Sequence, residues 1–131
     1  MKELKFRAWI KAQEKMVEVA SIDFKEKTII YEDKKAKPYV ADLSQVELLQ
    51  YTGVKDSKGN EIFEGDILKC EEYFGGDDET DSTNLLEVKF EDNKFWVDLI
   101  GYVGGFDLVE LCGDFEVIGN IYENGELLKW K

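Results

Sequence analysis

Between Gln50 and Cys70 the chain reads QYTGVKDSKGNEIFEGDILKC, which sets two turn signals among short apolar runs and restricts the stretch to a hairpin followed by a tight turn. Asp56-Ser57-Lys58-Gly59 places a turn-favouring Asp first and a Gly last, with Val54 and Ile62-Phe63 as flanking strand residues. Glu64-Gly65-Asp66 then turns the chain into Ile67-Leu68-Lys69-Cys70. Short acidic side chains bond nearby backbone amides in such turns, so Asp56 and Asp66 read as turn formers before they read as ligands or acids.

Upstream the pattern is one of short strands. Phe6, Ala8 and Ile10 alternate with polar residues, and Met16 to Val19, Ser21 to Phe24 and Thr28 to Tyr31 follow between charged breaks, a plausible β-meander. Glu32 to Pro38 reads as a connecting loop ending at the single proline. Asp42 to Gln50 reads as a short helix, because Ser44 with Glu47 three residues on matches a capping box.

Downstream, Leu85 to Phe90 and Phe95 to Ile100 form a second hairpin around Glu91 to Lys94. With Ile67 to Cys70 this makes three consecutive antiparallel strands, similar in topology to small SH3-like barrels. Phe106 to Leu111 suits one helical turn capped by Asp107, and Phe115 to Tyr122 a strand. Asn124 either caps a last turn holding Leu127, Leu128 and Trp130 or opens an Asn124-Gly125 hairpin. The expected fold is mainly β with short helices, α+β being the neighbouring class: an antiparallel meander plus a small SH3-like, partly open barrel. Residues 1–49 hold the meander and short helix, and residues 50–131 the barrel-like region, packed as one compact unit.

Charge and composition exclude several functions. With 44% hydrophobic residues, 131 residues can bury roughly two-thirds of their unfolded surface. The formal net charge of −12 opposes direct contact with a nucleic-acid backbone or an anionic membrane, and leaves a basic protein as a possible partner. Charges interrupt the apolar residues of the start, and no run approaches the ~18 needed for a membrane helix, so a cytoplasmic protein is expected. There are no histidines, which removes Ser-His-Asp, Cys-His and His-ligated metal chemistry. Cys70 and Cys112 lie far apart in sequence and read as buried, reduced thiols. Glu71 to Asn84 is an acidic, glycine-containing loop whose spacing does not match an EF-hand. Gly101 to Gly105 lacks the Lys and Ser/Thr of a phosphate loop. No cofactor or catalytic set is expected. Paired carboxylates acting as a histidine-free hydrolase are the catalytic alternative.

Four pieces in series carry a family resemblance: KFRAW at Lys5–Trp9, QYTGVKD at Gln50–Asp56, GNEIFEGDI at Gly59–Ile67 and FEVIGNIYEN at Phe115–Asn124. In that order the chain resembles the YopX family of phage and prophage proteins over nearly its whole length. It departs at Ile10-Lys11, where members often carry Asp-Lys, and at Gly125, where Pro is frequent. The resemblance implies an accessory protein of mobile elements in low-GC Gram-positive bacteria that acts inside the host cell and forms homo-oligomers, with no established activity or catalytic residues. In such an oligomeric or protein-binding module, Tyr51, Phe63, Tyr73, Phe74, Trp96, Tyr102 and Trp130 are the candidate interface aromatics. The alternative is an acidic nucleic-acid mimic that captures a host DNA- or RNA-binding protein.

Overall fold

The computed structural model describes residues 4–70, 84–100, 105–110 and 114–128. The chain divides into two compact units, Met1–Tyr51 and Thr52–Lys131.

Unit 1 is an antiparallel sheet of β1 (Phe6–Ile10), β2 (Lys15–Asp23), β3 (Thr28–Glu32), β4 (Pro38–Asp42) and the first part of β5 (Val46–Lys55), in the order β4-β3-β2-β1-β5. The two expected segments Met16–Val19 and Ser21–Phe24 are one strand, β2. Its register against β3 slips between Val19 and Ser21, which inserts one extra residue. That insertion changes the phase of the alternation, so Val17, Val19 and Ile22 all reach the same core. Ala8, Ile10, Ile29, Tyr31 and Val46 form its buried centre.

The helix expected over Asp42–Gln50 is not formed. Leu43–Gln45 makes a single 3₁₀ turn, Asp42 contributes no side-chain cap, and the chain enters β5 at Val46. Val46 and Leu48 pair across from Ile10 and Ala8 and pack on the core, while Leu49 and Tyr51 are buried on the alternate positions. A strand buried on both faces shows a nearly continuous apolar run, and such a run is indistinguishable from a short helix by periodicity. The loop expected over Glu32–Pro38 is one residue too long at each end, since Glu32 closes β3 and pairs with Pro38. Asp33 closes a turn by accepting the Lys35 and Lys37 N–H groups at 2.9 Å, Ala36 takes φ 61°, and Pro38 opens the edge strand β4.

In unit 2 the end of β5 pairs with β6 (Glu61–Phe63). A five-stranded antiparallel sheet then runs in the order β10-β9-β8-β7-β11, from β7 (Asp66–Cys70), β8 (Asn84–Glu91), β9 (Lys94–Leu99), β10 (Gly105–Asp107) and β11 (Phe115–Asn120). Ile62, Leu68, Cys70, Leu86, Val88, Val97 and Leu108 form its core. The second hairpin is present with its strands carried in to a two-residue turn: Asp92 and Asn93 sit at φ 51° and 64°, the type I′ geometry. Asn93→Gly should therefore stabilise the unit by about 0.5 kcal/mol, read as a higher urea midpoint at unchanged slope.

Asp107 caps a 3₁₀ turn at Leu108–Glu110 by accepting the Val109 N–H at 3.3 Å, as expected for a single helical turn there. At the C-terminal end a turn forms instead of the hairpin, Gly125–Leu128 being a 3₁₀ turn with the Leu127 N–H on the Asn124 carbonyl, but the Asn124 side chain accepts the Asn120 N–H and is not the expected cap, and Trp130 lies outside the described residues. The fold is thus mainly β, and among the described residues there is no α-helix and no closed barrel. The sheet of unit 2 does not close on itself at β11, which has a strand partner, β7, on one side and on the other side meets a turn. No helix among the described residues is long and apolar enough to cross a membrane.

Candidate functional site

The turn that meets β11 is built around Asp56, which is 6% exposed. Its Oδ1 accepts the N–H groups of Lys58 at 2.9 Å and Asn60 at 2.8 Å. Its Oδ2 accepts the Asn60 side-chain amide at 3.1 Å and the Val117 N–H at 2.9 Å. Burial pushes this carboxyl up, but the hydrogen bonds from Val117, Asn60 and Lys58 together outweigh it and hold Asp56 below the usual carboxylate range. Ser57 completes the contact, its N–H donating to the Phe115 carbonyl at 2.9 Å and its Oγ accepting the Phe115 N–H at 2.8 Å. The outward N–H groups of β11 at Phe115 and Val117 are therefore satisfied by side chains.

The other motif residues are equally structural. Asp66 is fully buried and accepts the Phe63 N–H at 2.8 Å, closing the Glu64-Gly65 turn, where Gly65 has φ 87°. Thr52 Oγ1 donates to the Ile62 carbonyl at 2.8 Å and accepts the Val54 N–H at 3.1 Å. Asn120 accepts the N–H groups of Tyr122 and Glu123 and donates to the Glu123 carboxylate, while Asn124 Oδ1 accepts the Asn120 N–H. The Asp, Thr and Asn positions that make the family pieces recognisable hold turns together.

Beside the Asp56 turn lies an open depression of about 360 Å³, lined by Ser57, Lys58, Lys69, Asp114, Phe115 and Glu116. Lys58 pairs with Glu116 at 2.9 Å, and the Glu116 hydrogen bond raises the Lys58 ammonium above its ordinary value. Lys69 stands opposite Glu116 in the β7–β11 register. The hollow presents two cations and two carboxylates, and its one hydroxyl oxygen is engaged by a backbone N–H.

The candidate aromatics are scattered. Tyr51 and Phe63 are 5% and 8% exposed, so their rings are packed inside and are not exposed anchors. Trp96 is half-buried on β9, with the Lys94 ammonium 4.9 Å from its ring centroid. Tyr73, Phe74, Tyr102 and Trp130 lie outside the described residues, as do Cys112 and nearly all of the acidic loop 71–84. Cys70 is fully buried in β7.

Two features were missed. First, residues 1–51 carry ten lysines and arginines against nine acids, and residues 52–131 seven against twenty, so the acidity of the chain belongs to unit 2. Second, Lys34, Lys35 and Lys37 precede β4, with Lys15 and Lys37 ammonium groups 6.0 and 5.7 Å from the Tyr39 ring and Tyr39 stacked on Tyr31 at 5.5 Å. Asp33, in the same turn, is held below the usual carboxylate range chiefly by the Lys37 N–H. The signal was present as three lysines followed by Tyr-Val, which is strand-prone.

No curated protein matches the chain. The crystal structure of protein EF1440 from Enterococcus faecalis is similar, with a TM-score of 0.67 and 26% identity over 98% of this chain and 100% of that one. The family described as YopX protein matches residues 5–129, and with that span and the structural motif residues above, the chain belongs to the YopX family.

Proposed function

We propose that this chain is a phage or prophage accessory module without catalytic activity, which works in the host cytoplasm by binding proteins, either its own copies or others. The observation that carries the reading is the fate of its acidic motif side chains: Asp56 and Asp66 are buried and taken up by backbone N–H donors. What the surface offers is contact area, including Phe24, Val40 and Val109, each more than half exposed. Size-exclusion chromatography with light scattering, together with a pull-down from host lysate, tests it. A defined oligomer or a stoichiometric protein partner is expected. A monomer at high micromolar concentration that also retains no partner overturns the reading.

A second reading draws on the segregation of charge. Unit 2, with twenty acids against seven bases, is suited to capture of a basic nucleic-acid-binding protein. In that case the recovered partner is basic and is released by raising the salt, whereas a partner held by apolar contacts is not.

A further inference from the structure

β11 and β4, an edge strand of each sheet, are treated differently by the fold. At β11 the outward N–H groups of Phe115 and Val117 are capped by Ser57 and Asp56. At β4 the ladder itself tells which groups face outward. Leu43 donates to the Lys27 carbonyl and Asp33 to the Lys37 carbonyl, so the hydrogen-bonded pairs of the β3–β4 ladder are 27/43, 29/41, 31/39 and 33/37. Pro38, Val40 and Asp42 therefore turn their main-chain groups away from β3. Pro38 has no N–H, which leaves Val40 and Asp42 as the outward donors of this edge.

Side chains around these donors define what can pair with them. Val40 is 66% exposed and lies directly across from Ile30, itself 38% exposed, an apolar pair flanked on the same face by exposed Glu32 at the lysine end and exposed Asp42 at the other. Tyr39, 38% exposed, borders the other face. Lys34, Lys35 and Lys37 stand at the start of the strand, all exposed, and the Asp33 carboxylate among them is occupied by the Lys35 and Lys37 N–H groups and the Tyr39 hydroxyl. A proline and lysines on an edge discourage indiscriminate pairing. The same lysines favour a strand that carries carboxylates where it passes them.

We infer that the β4 edge accepts an extended acidic peptide as an added antiparallel strand, apolar residues against Val40 and Ile30 and carboxylates against Lys34, Lys35 and Lys37. This rests on the protein-binding reading above and narrows it to one edge and one partner chemistry. Main-chain bonds to Val40 and Asp42 give register, and the lysine end gives direction.

The test uses the full chain and a short blocked peptide of alternating Thr and Val followed by a run of glutamates, with a lysine-ended control. The glutamate peptide is expected to slow amide exchange at Val40 and Asp42 and to bind at least about tenfold more tightly than the control, a difference that shrinks with salt. Val40→Pro removes an outward donor that the β3–β4 ladder does not use, and should weaken binding about tenfold with the fold retained. A triple Lys34→Gln, Lys35→Gln, Lys37→Gln variant should erase the preference between the two peptides. Equal binding by both variants, protection elsewhere, or no binding overturns the inference. Protection of the same two amides by raising protein concentration alone would assign the edge to a second copy, and overturn the peptide while leaving the module reading in place. A chain that assembles or holds a partner unaffected by Val40→Pro separates the two in the same way.

Discussion

Replacing Asp56 with Ala is expected to cost unit 2 about 3 kcal/mol, because four donors lose a charged acceptor at once and the Val117 N–H is left without it at a half-buried edge. Charge-assisted bonds of this kind contribute about 1.5–3 kcal/mol each, but they share one side chain and do not add. On a unit of this size the loss corresponds to a melting temperature lower by about 15 °C. Asp56→Asn keeps one acceptor oxygen and turns an amide toward N–H groups, so it should recover less than half of the loss. Urea unfolding monitored by tryptophan fluorescence reads both. A cost under about 1 kcal/mol for the Ala variant would mean that the turn holds β11 by its backbone alone.

The same substitution should change the response to acid. The Asp56 carboxyl is held below its unfolded value, near ~3.9, so its contribution is fully present above that pH and is lost as the pH falls through the lower folded value. Glu87 works in the opposite direction: burial raises it, with Lys89 lowering and Asp98 raising it further, so its protonation favours the folded state as pH falls. The two groups act in separate windows: Glu87 adds stability to unit 2 as the pH falls toward about 4.3, the Asp56 contribution is lost only below about 3.9, and Asp56→Ala should flatten the curve below about pH 4.

How much of this was legible in the sequence depended on whether the governing contact was local. The Asp56 turn, the Glu64-Gly65-Asp66 turn, the hairpin at Asp92-Asn93 and the Asp107 cap are each decided within a few residues, and each was readable. The misreadings share a different cause. Whether Val46–Gln50 is helix or strand is decided by β1, whose Ile10 and Ala8 lie across from Val46 and Leu48 and are some forty residues away in sequence. The bulge in β2 is decided by β3, and β4 exists because β3 supplies its ladder. The lysines before β4 were hidden by the acidic total, which sums a nearly balanced unit 1 with a strongly acidic unit 2. Asp56 reads as a turn former, but its bond to Val117, sixty-one residues on, carries no local signal.

The other large effect is expected where β11 ends. Its register against β7 shifts between Val117 and Gly119, and a methyl group added at Gly119 would be driven into the Asn124 carboxamide. That carboxamide holds the Asn120 N–H, and Asn124 in turn donates its own N–H to the Asn120 carbonyl, so the two asparagines clasp the chain as it leaves the sheet. Gly119→Ala is expected to cost about 2–3 kcal/mol, and Asn124→Ala about 1–2 kcal/mol. If the clash acts by displacing Asn124, the two losses overlap. In the Asn124→Ala background the obstructing amide is gone, and Gly119→Ala should then cost under about 1 kcal/mol. A double-mutant cycle on denaturant midpoints measures this directly. Additive losses would show that the Gly119 methyl is opposed by the bulge backbone and not by the clasp, and the glycine of the VIGN piece would then be required by β11 itself.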